Sequence, residues 1–147
     1  SRNKEFAINL TNKNLAFATD WCGVKSGAKV DKFKEMHLTK EKAKFVKCPL
    51  IKESPVSIEC KVTEIKEMGS HDMFIAEILS IDADEKYIDD KGAFDITKCD
   101  LITYANGKYF TLGKQVGKFG YSVQKKKRKW RKYARIVDIF RKTWYDI

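Results

Sequence analysis

Hydrophobic and polar residues alternate most clearly near the middle of the chain. Every second residue from 56 to 62 is apolar, a pattern typical of a strand with one buried face. Residues 73–81 are largely apolar without alternation, so we expect a second strand that is covered on both sides. Residues 69–72 form a turn between the two, and the pattern therefore predicts an antiparallel hairpin with His71 at its bend.

The remaining segments are short. Residues 6–10 read as a strand, and Thr11 is expected to cap a helix over residues 14–18 that stops at Gly23. A second short helix is predicted around residues 33–36, and Asn106-Gly107 marks another hairpin. Short strands joined by hairpins, with two early helices, favour a mainly β, antiparallel barrel over a layered parallel sheet.

Positive charge is concentrated at the C-terminal end of the chain. The net charge is +10, but residues 1–123 carry twenty basic and eighteen acidic residues, whereas residues 124–147 carry ten and two. We therefore expect a nearly neutral domain over residues 1–123 followed by a basic tail over residues 124–147. Because the charge is confined to the tail, the high pI does not indicate a nucleic-acid-binding domain.

The tail has the spacing of an amphipathic helix. Its large apolar residues recur every three or four positions, which places them on one stripe; they are Trp130, Tyr133, Val137, Phe140, Trp144 and Ile147. Two interpretations stay open. The tail is either a solvated helix docked on the barrel or on a second copy, or a helix for an acidic partner or a membrane surface.

Three glycine-rich segments suggest a binding site. They are residues 23–27, 69–72 and 112–120, and each lies near a lysine or His71. Glycine allows close approach of a ligand to the backbone, and lysine and histidine supply donors and charge. These segments predict a site for an anionic, planar molecule, although Lys25-Ser26-Gly27 also fits an ordinary surface loop and His71 an ordinary turn histidine.

Several functional classes are disfavoured by the sequence. The four cysteines form no Cys-x-x-Cys pair, so we expect no metal site. No serine or cysteine triad can be argued from spacing, and no catalytic residue is assigned. The polar first residues and the lack of a long apolar run predict a cytoplasmic protein with neither a signal peptide nor a membrane span.

A series of short segments carries a resemblance to a known family. Besides Lys25-Ser26-Gly27 and Gly69-Ser70-His71-Asp72, the segments lie at 6–10, 18–24, 30–33, 49–56, 59–62, 73–77, 109–113 and 117–120. In this order and spacing, residues 4 to about 123 resemble the flavin reductase-like, FMN-binding split-barrel family, which includes flavoredoxin-like proteins. The resemblance implies a Greek-key split barrel, a homodimer, and one FMN per subunit near the interface.

The resemblance also implies roles for particular residues. Lys25, Ser26 and Gly27 would lie beside the flavin or its tail, His71 near the isoalloxazine ring, and Phe119 at the ring's face or edge. Members of the family carry a further N-terminal portion that supplies barrel strands and FMN contacts, and we expect that portion to be absent here.

Two functions follow from this resemblance. The first is an FMN-binding redox protein, an NAD(P)H-dependent flavin oxidoreductase or a carrier fed by a protein electron donor. The alternative is a non-catalytic split-barrel module for dimerisation or interaction, with an incomplete flavin site.

Overall fold

The computed structural model describes residues 3–124 of the chain. Contacts divide the protein into two units, Ser1–Gly113 and Lys114–Ile147. The domain boundary expected at residue 123 stays a prediction. The predicted tail helix lies outside the described residues. Within residues 3–124, no helix combines the length and the apolar character that a membrane crossing requires.

The described part of the chain is mainly β, as predicted. The strands are β1 (Glu5–Leu10), β2 (Lys40–Glu41), β3 (Leu50–Ile51), β4 (Val56–Glu67), β5 (Asp72–Ala83), β6 (Ile102–Ala105) and β7 (Lys108–Thr111). The α-helices are α1 (Ala16–Val24) and α2 (Lys32–Glu35), and short 3-10 turns cover Lys13–Leu15, Glu85–Tyr87 and Ile96–Cys99.

The main sheet has the order β1-β4-β5, and both pairings are antiparallel. The strand predicted from the alternation is confirmed as β4, but its expected single buried face is wrong. Val56, Cys60 and Val62 are buried on one face, and Ser57 and Glu59 are buried on the other. The strand continues to Glu67, beyond the alternating segment, and pairs there with β5 as the expected hairpin.

Two irregularities interrupt the β4–β5 pairing. Glu59 pairs with Ser80 and Cys60 with Ile78, so Leu79 is an extra residue on β5. Farther along, Val62 pairs with Ala76 and Glu64 with Ile75, so Thr63 is an extra residue on β4. Such bulges bend a strand locally and increase its twist.

The expectation that β5 is covered on both sides is wrong for the described residues. Ile78 and Ile81 are 57% and 61% exposed. β5 is the last strand of the three-stranded sheet, so its side chains have neighbouring side chains on one flank alone, and the described residues leave Ile78 and Ile81 largely uncovered. Ile81 lies across from Ile58, which in turn lies across from Ile8, itself 44% exposed. Paired residues share a face, so one side of the sheet presents a partly exposed apolar surface.

The opposite side of the sheet is covered by residues 40–51, which we call the strap. Its ends pair as β2 and β3. Ala43, Val46 and Leu50 form a buried cluster that packs against Ala7 and Leu79, together with the partly buried Cys48. The strap thus supplies the hydrophobic core on this side.

Local capping differs from the prediction at the first helical segment. Asn12, not Thr11, caps it, because the Asn12 Oδ1 atom accepts hydrogen bonds from the backbone nitrogens of Asn14 (3.1 Å) and Leu15 (3.2 Å). Gly23 lies inside α1, which ends at Val24, so the predicted stop is also wrong. The hairpin turn at Asn106-Gly107 is confirmed: φ is +49° and +73° at the two residues, as a tight turn of this kind requires.

Candidate ligand-binding loops

The loop that follows α1 contains the first group of predicted site residues. The Lys25 backbone nitrogen donates a hydrogen bond to the Trp21 carbonyl at 3.0 Å and so closes the helix. The Ser26 carbonyl accepts from the Lys29 nitrogen (3.0 Å), and the Ser26 hydroxyl accepts from the Ala28 nitrogen (3.3 Å). Ser26 therefore shapes a tight turn, while the side chain of Lys25 is left exposed.

A pocket of about 600 Å³ adjoins this turn. Its wall is formed by Gly27, Ala28, Lys29, Val30, Asp31, Lys32 and Lys40. Three lysines against one carboxylate make an environment that suits an anion such as a phosphate group. The donor chemistry of the loop therefore fits the anionic end of the ligand that the sequence predicts.

The residues of this pocket are held by contacts that the sequence pattern did not reveal. The Lys32 ammonium donates to the Cys22 carbonyl at 2.5 Å and ties α2 to the end of α1. Asp31 caps α2 by accepting from the backbone nitrogens of Phe33 (3.0 Å) and Lys34 (3.3 Å). Lys40 comes from β2, and nothing in the local sequence connects it to this loop.

His71 lies in the turn between β4 and β5. Gly69 adopts a φ of +85°, a conformation that favours glycine, and the Met68 nitrogen donates to the His71 carbonyl at 3.0 Å. The Ser70 hydroxyl lies 2.9 Å from the His71 Nδ1 atom. This contact leaves Nε2 as the ring nitrogen available to a ligand, on an exposed side chain.

Phe119 belongs to the second unit and is fully exposed. It lies in a turn where the Tyr121 nitrogen donates to the Lys118 carbonyl at 2.9 Å. A Cβ atom at Gly117 would lie only 2.5 Å from the Tyr121 ring, so a larger residue there would force this ring, which is 57% exposed, to move. Gly120 adopts a φ of +75°, a conformation that favours glycine. The glycines at 117 and 120 thus have a local structural reason beside any role in binding.

The predicted site residues therefore occupy separate elements. Lys25, Ser26 and Gly27 share one loop, but among them Gly27 alone lines the lysine-lined pocket. His71 does not line it either. Convergence of these segments on one ligand stays a prediction.

Burial makes three of the four thiol groups less reactive. Cys60 and Cys99 are 3% and 1% exposed, and burial raises the pKa of both thiols. Burial also raises the pKa of Cys48. A raised pKa lowers the fraction of reactive thiolate. In residues 3–124, no group of three or more histidine, cysteine or acidic residues is arranged to hold a metal ion.

The chain is similar to known proteins in both sequence and fold. The family described as "Flavin reductase like domain" matches residues 1–113. A protein of Archaeoglobus fulgidus is 37% identical over 107 residues, which cover 73% of this chain and 59% of the relative. A relative from Aquifex aeolicus is 30% identical over 107 residues, which cover 73% of this chain and 55% of that protein. The chain thus spans little more than half the length of these relatives.

Solved structures agree with these matches. The flavoredoxin of Desulfovibrio vulgaris (Miyazaki F) has a TM-score of 0.76 and 29% identity, with coverage of 84% of this chain and 67% of that one. The flavoredoxin from Methanosarcina acetivorans has a TM-score of 0.71 and 32% identity, with the same coverage. A protein with a split barrel domain from Shewanella frigidimarina has a TM-score of 0.66 at 20% identity, covering 78% of this chain and 59% of that one. The expected split-barrel fold is therefore confirmed.

Proposed function

Because the chain belongs to the flavin reductase-like domain family, we propose that it is a redox domain that binds FMN. Electrons would come from NAD(P)H or from a protein donor and pass onward through the bound flavin. The observation that carries this proposal is the lysine-lined pocket beside the Ser26 turn, in a chain similar to two flavoredoxins over 84% of its length.

Different residues of the first unit would contact different parts of FMN. Lys25 and Lys29 offer exposed ammonium groups to the phosphate, and Ser26 fixes the turn that presents them. His71 would place a donor near the ring system and stabilise negative charge there. When bound, FMN supplies a ring that accepts and releases electrons, and the protein supplies orientation and charge.

A homodimer is part of the proposal. The apolar side of the β1-β4-β5 sheet exposes Ile8, Ile78 and Ile81. Contiguous exposed apolar residues commonly mark an interaction surface, and a second copy would bury them.

Titration of the purified chain with FMN tests this proposal. We expect quenching or a spectral shift of the flavin on binding, weakened about tenfold or more in Lys25→Glu, since a repelling carboxylate would replace an attracting ammonium. Lys91→Glu is the matched control, because Lys91 is an exposed lysine in a separate loop. Unchanged flavin spectra at high protein concentration would contradict FMN binding, and equal loss in both variants would contradict the assignment of Lys25.

A non-catalytic interaction module is the second candidate function. It is favoured by the exposed apolar side of the sheet, which suits association and needs no cofactor. A chain that dimerises through this side, yet leaves flavin spectra unchanged, would support this candidate over the redox domain.

A further inference from the structure

The centre of the strap exposes an aromatic ring among lysines. Phe45 is 61% exposed, whereas its neighbours Ala43 and Val46 are each 6% exposed. Lys42, Lys44 and Lys47 surround it in sequence, and all three are exposed. Residues 40–49 line a depression of about 800 Å³. An exposed aromatic side chain beside a surface depression is suited to act as an anchor, that is, a side chain that fills a pocket of a binding partner.

The backbone beneath Phe45 is fixed by a buried carboxylate. Glu59 is fully buried. Its Oε1 atom accepts a hydrogen bond from the Lys44 nitrogen (2.9 Å), and its Oε2 atom accepts from the nitrogens of Phe45 (2.6 Å) and Val46 (2.9 Å). These three bonds fix the turn that carries the ring. An anchor held in one conformation loses less entropy on binding than one on a free loop.

Charge in the first unit is strongly segregated around the strap. Residues 25–52 contain nine lysines and three acidic residues, whereas residues 53–100 contain five lysines and thirteen acidic residues. A partner with acidic groups would therefore be steered towards the strap. Lys44 also pairs with Asp82 at the end of β5, which fixes one lysine at the boundary between the basic and acidic regions.

We propose that the strap is a docking site for a protein partner whose apolar pocket, rimmed by acidic side chains, receives Phe45. The proposal is independent of whether the chain binds FMN.

A protein partner fits this surface better than a nucleic acid or an anionic membrane. Asp82, Asp84 and Glu85 line the same pocket of about 380 Å³ as Lys42 and Lys44. A uniformly negative phosphate surface would meet these carboxylates and be repelled, whereas a protein can place acidic and basic groups opposite the two regions.

A protein of different sequence also fits better than a second copy. In a two-fold symmetric contact centred on Phe45, the same patch of both copies would meet. Lys42 and Lys47 of one copy would then face the same lysines of the other, which is unfavourable.

Selection from a displayed library of random short peptides on the purified full chain tests the proposal. We expect recovered peptides to combine aspartate or glutamate with large apolar residues. Synthesised peptides should bind about thirtyfold more weakly to Phe45→Ser, as is typical of a central anchor, and also lose affinity for the Lys42→Glu/Lys47→Glu variant. Phe17→Ser and Lys91→Glu are matched controls, because Phe17 is 75% exposed on α1 and Lys91 lies in a separate loop.

Several results would overturn the proposal. One is a selection that yields no binding peptide, and another is a set of peptides that bind Phe45→Ser as tightly as wild type. A third is binding of duplex DNA or phosphatidylserine vesicles that depends on Phe45 without any peptide binding. Sedimentation in which Phe45→Ser dissociates a dimer of the wild-type chain would assign the site to a second copy instead. Because Phe45 is exposed, its replacement should leave the unfolding temperature unchanged, and this is checked alongside.

Discussion

The Tyr109 hydroxyl donates a hydrogen bond to the Asp20 Oδ1 atom at 3.1 Å. The contact joins β7 to α1, and the two residues are 89 positions apart in the sequence. Tyr104 packs against Tyr109 across the hairpin, with ring centroids 5.1 Å apart. The last hairpin of the first unit is thereby tied to the helix that precedes the Lys25 loop.

This contact predicts a measurable pH effect. Burial, followed by the hydrogen bond to Asp20 and its charge, raises the pKa of the Tyr109 phenol from its ordinary value of 10.0. A raised pKa means that the stabilisation is complete below the unfolded-state pKa and is lost as the pH rises through the folded-state value. We expect the stability difference between wild type and Tyr109→Phe to shrink as the pH increases above about 10.

Denaturant unfolding at a series of alkaline pH values measures this difference. Asp20→Asn should lower the pKa of the Tyr109 phenol, because it removes the nearby negative charge. That pKa is read from the difference in phenolate absorbance between the Asp20→Asn variant and the Asp20→Asn/Tyr109→Phe double variant. A stability difference that stays constant through the titration would show that the phenol makes no such contact.

Removing the negative charge of Glu59 should strongly destabilise the fold. In Glu59→Gln, the amide group would point at least one N–H towards backbone N–H donors of the strap, which are paired in the wild type. We expect a loss on the order of 3 kcal/mol in the free energy of unfolding, because buried donors would lose their charged acceptor. Urea denaturation measures it, and Glu67→Gln, at the exposed end of β4, should change stability by less than about 0.5 kcal/mol.

The proposed dimer can be tested at the apolar side of the sheet. Ile81→Glu would place a charge where a second copy is expected to bury an isoleucine, and burial of an unpaired charge is costly. We expect the dimer dissociation constant to rise about tenfold or more by analytical ultracentrifugation. Val24→Glu is the control, since Val24 is 74% exposed at the end of α1. Equal dissociation constants for wild type and Ile81→Glu would place any interface elsewhere.

His71 should influence the reduction potential of the flavin as well as its binding. If the proposed ring contact exists, replacing the imidazole would take its N–H donor away from the negatively charged reduced flavin, so His71→Asn should lower the reduction potential. Each tenfold loss of preference for the reduced form corresponds to about 30 mV in a two-electron couple. Potentiometric titration of the FMN-loaded protein measures the shift, and His37→Asn, in the turn after α2, should leave the potential unchanged. A potential that does not move in His71→Asn would separate this residue from the ring.

The sequence predicted strands better than it predicted their surroundings. The alternation identified β4 as a strand because side-chain direction follows directly from sequence position, but the strap also buries Ser57 and Glu59 on the face that was expected to be exposed. The same reasoning misjudged β5, since an apolar segment indicates burial without showing what covers it, and here Ile78 and Ile81 remain exposed. The buried Glu59 was not recognised either, because its three donors come from residues 44–46, and that contact depends on the folded strap.

In the candidate site too, the sequence predicted some features and missed others. Local chemistry indicated the loop of Lys25 and Ser26 and the turn of His71, and both are exposed loops in the structure. The contribution of Lys40 to the pocket could not be predicted, since β2 lies beyond α2 and reaches the loop only through the fold.

The two extra residues in the long hairpin cancel each other. Leu79 shifts the numbering of β5 by one position relative to β4, and Thr63 shifts the numbering of β4 by one position relative to β5. The sum of the two paired residue numbers is therefore the same at the turn end of the hairpin as at its base. If either residue alone were deleted, the strands would either pair out of register at one end or lose the remaining bulge. Loss of both together would leave the two ends aligned. Length changes in this hairpin should therefore be tolerated in matched pairs, one on each strand.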